Sequence, residues 1–129
     1  MLEVAAAVIA NDRDEFLICQ RGPGGSCGNL WEFPGGKREP GETLGECLAR
    51  ECLEELGVYV SVGEVLHENQ VGAPDEAIRL FFFRCRILSG SPKTLVHGQA
   101  KWARPADMET KSFCPADRPV VELLKARLT

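Results

Sequence analysis

No apolar stretch of this chain approaches membrane-spanning length. The N-terminal run Val4–Ala10 is short, is preceded by Glu3, and lacks the basic stretch of a secretory leader. Positive charge is also in short supply: the net charge of −4 argues against a nucleic acid polymer as the main partner. It leaves room for a small phosphorylated ligand, because a metal ion can supply the missing charge. Six cysteines occur, yet none shows a C-x-x-C or Cys/His zinc spacing. Cys47 and Cys52 lie five apart on a predicted helix and are expected to point in different directions. These absences predict reduced thiols and a cytoplasmic protein that does not enter a membrane. There is no internal repeat, low-complexity tract or linker, so the 129 residues read as one domain.

What is present is mixed secondary structure. Val4–Ile9 and Phe16–Arg21 read as strands joined by a hairpin turn at Asn11-Asp12-Arg13-Asp14. Gly22–Asn29, with four glycines and a proline, reads as a loop too polar and flexible for the core. Leu30–Phe33 is a short apolar segment running into Pro34-Gly35-Gly36. Thr43 followed by Glu46 fits a capping box that starts a helix, and Gly57 closes it after Leu56. Tyr59–Asn69 and Ala77–Leu88 look like strands, and the nearly all-apolar Ile78–Phe83 suggests a central strand buried on both faces. Lys93–Trp102 predicts another strand and Pro119–Leu128 a C-terminal helix. Mixed strands and two helices imply an α/β or α+β sandwich.

The helix between Thr43 and Gly57 carries the most information. Leu44 and Leu48 begin an apolar stripe, and its next positions hold Glu51 and Glu55, with Glu54 beside them. Carboxylates at i, i+3 and i+4 share a face and repel one another. One reading is a solvated acidic face. The other, favoured by the inward stripe and the glycine-rich, charged segment Gly35–Glu42, is a cluster that awaits a cation. Arg50 lies four residues after Glu46, a spacing that favours an ion pair.

Residues 36–58 resemble the Nudix box, G-x5-E-x7-R-E-U-x-E-E-x-G-U, where U is apolar. Gly36, Glu42, Arg50, Glu51, Glu54, Glu55, Gly57 and Val58 all sit at the required spacing. Cys52 stands at the first U position, where Leu, Ile or Val is usual, and packs as a small hydrophobe. Leu30–Lys37 is similar to the segment leading into the box in the MutT branch, and Phe113–Val120 to that branch's C-terminal F-P-P-A-N/D-x-P-V.

The resemblance implies an α/β/α sandwich around a mixed sheet and metal-dependent hydrolysis of a nucleoside diphosphate linked to another group. For the MutT branch it implies conversion of nucleoside triphosphates, 8-oxo-dGTP first and cytidine triphosphates second, to monophosphate and pyrophosphate. It further implies Mg²⁺ or Mn²⁺ held by Glu51, Glu54, Glu55 and the Gly35 carbonyl, with Glu51 and Glu54 in catalysis. Arg50 would orient the glutamates, with Glu42 as a candidate partner in that role. Arg21 matches a phosphate-contacting position, and Phe33, Ile78 and Asp117 would form the base pocket. Asp117 stands where enzymes acting on 8-oxo-dGTP often carry Asn, and its alternative role is to cap the last helix. His97 replaces a glutamate to which relatives assign metal or base duty; it is either a substitute or an exposed loop histidine. The partner is a small nucleotide and the protein a monomer or homodimer. A module that binds nucleotides without hydrolysis is the competing reading.

Overall fold

A computed structural model describes residues 2–73, 75 and 77–127. Among the described residues seven strands, β1 (Leu2–Ile9), β2 (Phe16–Gln20), β3 (Trp31–Glu32), β4 (Gly35–Lys37), β5 (Tyr59–Val71), β6 (Ile78–Ser89) and β7 (Gln99–Ala103), form two sheets. The larger sheet has the order β4-β1-β6-β5, the smaller β3-β2-β7. The larger is mixed: β1 runs parallel to β6, from Leu2 opposite Ile78 to Ile9 opposite Cys85, while β4 and β5 are antiparallel to their neighbours. β6 therefore occupies the interior of its sheet, as its apolar run predicts.

Alternation along the strands feeds two cores. Ala6, Val8 and Phe82 face one with Phe33, Met108, Val120 and Leu124; Ala5, Ala7, Ile9 and Phe83 face the other with Leu17, Leu48 and Leu56. Full burial of a side chain such as Phe82 contributes on the order of 1.5–3 kcal/mol. Helix α1 (Leu44–Leu56) covers the second core, and the short α2 (Pro105–Met108) and α3 (Arg118–Arg127) cover the first. Helices on both faces of mixed sheets give the expected α/β/α sandwich.

The boundaries of α1 follow from local chemistry. Thr43 Oγ1 accepts from the Glu46 N–H at 3.1 Å, and the Glu46 carboxylate accepts from the Thr43 N–H at 2.8 Å. Gly57 ends the helix at φ 69°, a left-handed conformation that favours glycine. Because Glu46 closes the cap, the ion pairs formed by Arg50 are with other carboxylates, and the expected Glu46–Arg50 pair is replaced by those described below.

Four sequence expectations need correction. The turn at residues 11–14 does form, with Asn11 Oδ1 accepting from the Arg13 and Glu15 N–H groups. However, β1 and β2 meet only at the Ala10–Phe16 bridge and then diverge into different sheets. The strand predicted for Lys93–Trp102 is confined to β7. The Lys93 and Leu95 N–H groups instead bond the Leu56 and Glu55 carbonyls at the end of α1, which bends the chain away from extended pairing. The loop at residues 22–29, read as too polar for the core, buries Cys27, while Cys47 and Cys52 are both buried under α1 with Cys47 Sγ donating to the Gly36 carbonyl at 3.5 Å. The predicted C-terminal helix forms as α3, with Leu128 outside the described residues.

The fourth correction concerns the thiols. Cys19, Cys47, Cys52 and Cys85 are free and buried, and burial pushes Cys47 up to about 11, which leaves it inert. Cys27 and Cys114 form a disulfide across 87 residues, with their Cα atoms 5.6 Å apart. The polar loop 22–29 is thus anchored, and Cys27 is only 8% exposed. Spacing alone gives no sign of the pair, because the two cysteines meet only through the fold. A loop this long implies a chain-entropy stabilisation of about 3–5 kcal/mol. We expect the Cys27→Ser/Cys114→Ser double variant to lose a stability of that order. Urea unfolding with and without a dithiol reductant checks this, and wild type with the reductant should match the variant.

Candidate active site

Two glycines set the geometry. β4 pairs with β1 so closely that a methyl group at Gly35 would overlap the Ala5 carbonyl oxygen, and one at Gly36 would overlap the Glu51 carboxylate. The Gly35–Gly36 backbone thereby lies directly against the acidic end of α1. The Gly35 N–H donates to Glu55 Oε1 at 3.3 Å.

Arg50 gathers the surrounding acids. Its Nε and Nη2 donate to the two Glu42 oxygens at 3.1 and 2.7 Å, a two-point fit between planar groups. Nη1 donates to Glu51 Oε1 at 2.9 Å and reaches Glu54 at 3.3 Å, while Nη2 also donates to the Lys37 carbonyl at 3.1 Å. Glu39 lies 3.5 Å away. Hydrogen bonds from Arg50 hold the Glu42 carboxyl well below the usual range, at about 2. A single arginine thus serves four carboxylates and a backbone carbonyl, unlike an isolated surface pair.

The three box glutamates are not equivalent. Glu51 and Glu55 are neighbours on one face of α1, and the Glu51 side chain is only 15% exposed. Glu54 lies on the outer side of Arg50 with its side chain 58% exposed. Burial, the Glu51 hydrogen bond and the Glu51 charge push the Glu55 carboxyl up to about 8. Among the described residues no three His, Cys, Asp or Glu side chains are gathered in a metal-holding arrangement. The donor chemistry nevertheless fits a hard divalent cation. Two adjacent carboxyls, one favoured to retain a proton by burial and by its neighbour's charge, would offer oxygen ligands to a cation that replaced that proton.

From Glu55 the site opens into a cavity of about 570 Å³. All four residues expected to bind substrate, Arg21, Phe33, Ile78 and Asp117, line it. Phe33 is 3% exposed, its ring packed against Phe82 and Phe113 at 6.4 and 5.9 Å between centroids, which makes it a fixed floor. Its backbone N–H donates to Asp117 Oδ2 at 2.8 Å. That bond joins two segments of the pocket wall far apart in sequence and holds this Asp117 oxygen at Phe33. Burial pushes the Asp117 carboxyl up to about 7, with the Glu32 charge adding to the shift and the Phe33 N–H and Arg21 opposing it.

An acidic helix end thus lies against a glycine turn, and Glu55, that turn and the buried Asp117 line one cavity. The NUDIX domain model matches residues 1–124. The chain belongs to the NUDIX family. It is 34% identical over 98% of its length to the CTP pyrophosphohydrolase of Escherichia coli (strain K12), covering 93% of that protein. It is 31% identical over 96% of its length to the 8-oxo-dGTP diphosphatase of the same organism, covering 96% of that chain. The solution structure of the E. coli ORF135 protein superposes with a TM-score of 0.84 at 34% identity, covering 98% of this chain and 89% of the other.

In this NUDIX site His97 is not an exposed loop residue. It is 8% exposed, and its Nε2 lies 2.9 Å from Glu32 Oε2. Glu32, whose Oε1 is 3.7 Å from Arg21 Nη1, also lines the cavity. Sequence reasoning missed Glu32. Its position between the apolar Trp31 and Phe33, on a strand that alternates sides, was the available signal. It also missed the Cys27–Cys114 bridge at the cavity wall, which no spacing rule reveals.

Proposed function

We propose that this protein is a divalent-metal-dependent pyrophosphohydrolase that converts a nucleoside triphosphate to its monophosphate and pyrophosphate, sanitising the nucleotide pool of the cytoplasm. The observation that carries this reading is one cavity lined by Glu55, the Gly35–Gly36 turn and Asp117, with the Glu51 carboxylate packed against Gly36. Mg²⁺ or Mn²⁺ would be held by Glu51, Glu55, Glu54 and the Gly35 carbonyl, where it supplies charge neutralisation and Lewis acidity toward the phosphate chain. The chain's own groups do the rest. Arg50 orients Glu51 through the 2.9 Å hydrogen bond from Nη1, and Glu51 or Glu54 accepts the proton of the attacking water. Arg21 meets a phosphate at the cavity mouth. Phe33 and Ile78 contact the base, where stacking on an aromatic ring is worth about 1–3 kcal/mol. No helix among the described residues is long and apolar enough to cross a membrane. A disulfide is unusual in a reducing compartment, so mass spectrometry of the Cys27–Cys114 pair tests the cytoplasmic assignment.

8-oxo-dGTP is the leading substrate. CTP and modified dCTP form the second reading, supported by the 34% identity to the CTP pyrophosphohydrolase; an ionised Asp117 could accept from the exocyclic amine of cytosine or from the N1–H and N2–H2 groups of guanine. Initial rates of pyrophosphate release from oxidised and unmodified triphosphates, with and without Mg²⁺, test the proposal. A module that only binds nucleotides would release none.

Asp117→Asn should separate the two substrates. It places a donor where an ionised carboxylate accepts, and one mispaired buried group costs about 1–3 kcal/mol. We therefore expect the ratio of kcat/KM between 8-oxo-dGTP and CTP to shift by about 5- to 150-fold. The same variant changes the pH response of the fold. With its carboxyl raised from 3.8 to about 7, folded wild type binds more protons than the unfolded chain between those values. Stability contributed by this group is present below pH 3.8 and lost as the pH rises through 7. Urea unfolding at pH 5 and pH 8 should show a smaller decline for Asp117→Asn.

A further inference from the structure

His97 has one nitrogen in use and one enclosed. Nε2 lies 2.9 Å from Glu32 Oε2, and Nδ1 is buried with no hydrogen-bond partner. A carboxylate only accepts, which places the ring proton on Nε2 and leaves the enclosed nitrogen as the lone-pair site. The His97 side chain is 4% exposed, Glu32 21% and Arg21 46%, so the three run from the interior to the mouth of the cavity. The backbone on either side is fixed, with the Gly98 N–H donating to the Gln20 carbonyl at 2.9 Å and the Leu95 N–H to the Glu55 carbonyl at 3.2 Å. Glu32 shares the cavity with Glu55 and Asp117, three acidic side chains in one small space. A carboxylate in this space needs a donor to fix its direction, and the His97 ring N–H provides one from the protein side at 2.9 Å.

We propose that His97 is a positioning residue which fixes Glu32, and through it the Arg21 guanidinium, at the mouth of the nucleotide cavity. It takes no part in metal binding or proton abstraction. The nitrogen that a cation or a proton would need is enclosed, and the other is held by Glu32. This assignment rests on the pyrophosphohydrolase reading, because Arg21 is placed to meet the substrate's phosphates.

The test uses the full chain and three variants. His97→Leu removes the donor at similar volume, His97→Gln retains a side-chain N–H, and Glu32→Gln weakens the hold on Arg21 while leaving an acceptor for His97. For pyrophosphate release from CTP and 8-oxo-dGTP, His97→Leu and Glu32→Gln should each raise KM by about tenfold and change kcat by less than about threefold. His97→Gln should recover most of the loss in KM, the double variant His97→Leu/Glu32→Gln should be little worse than either single one, and the Mg²⁺ concentration for half-maximal rate should stay unchanged. A hundredfold fall in kcat for His97→Leu, a shifted Mg²⁺ requirement, or additive effects in the double variant overturns the proposal. If His97→Leu fails to fold, Glu32→Gln decides the matter, and an unchanged KM there refutes it. If wild type hydrolyses no triphosphate, the enzymatic reading fails separately. Calorimetric affinity for CTP then judges His97: a drop in His97→Leu supports positioning, and equal affinity refutes it.

Discussion

Replacing Glu51 by Gln is expected to lower kcat for pyrophosphate release by at least about 10³-fold while the protein remains folded. Loss of a general base alone costs typically 10²–10⁴-fold, and Glu51 is also a proposed cation ligand. Glutamine has nearly the same shape, so the close packing of this side chain beneath Gly36 survives. Arg50 keeps its two-point contact with Glu42 at 3.1 and 2.7 Å, which preserves the link between α1 and the preceding loop. What disappears is one negative charge next to Glu55. Without it the Glu55 carboxyl should ionise more readily, because the Glu51 charge is among the causes of its elevation to about 8. The variant should therefore melt within a few degrees of wild type and bind Mg²⁺ more weakly. Near-normal pyrophosphate release would remove Glu51 from the chemistry and with it the proposed mechanism.

Legibility in the sequence followed the range of the interactions. The capping box at Thr43 and Glu46 and the left-handed Gly57 are local devices, and both could be read directly. Ile78–Phe83 was readable as an interior strand from its apolar run, and it does pair on both edges, although only Phe82 and Phe83 are buried and Arg79 is exposed. The divergence of β1 and β2 was not readable, because a hairpin turn fixes how the chain reverses and not how far the pairing continues. Nor was the short β7, since the bonds that divert residues 93–98 come from the end of α1. The site shows the same division. Box spacing placed Glu51 and Glu55 together, but it could not show that Arg50 draws Glu54 outward. The resemblance located Phe33 and Asp117 in one pocket without revealing the 2.8 Å bond between them. His97 could be read only as a departure from a pattern; its partner Glu32 is 65 residues away and reaches it through tertiary folding.

Arg50→Lys tests whether these charges act as one organised unit. A surface ion pair contributes about 0–1 kcal/mol, so its loss would change rate or stability by no more than about fivefold. Arg50 does something different in kind. Its planar guanidinium contacts both Glu42 oxygens, Glu51 and the Lys37 carbonyl simultaneously. A lysine keeps the charge but presents a single point of donation and cannot span those positions. With the shared donor gone, Glu51 has no group directing it toward Gly36, and like charges at the end of α1 repel. We expect kcat to fall by about 10²-fold in Arg50→Lys and further in Arg50→Ala, with KM changing much less because Arg50 does not line the cavity. Arg86→Ala, which breaks an exposed pair with Asp12, is the matched control and should leave the rate within about twofold of wild type. If Arg50→Lys behaves like that control, the arginine is only a surface partner and the glutamates find their positions without it.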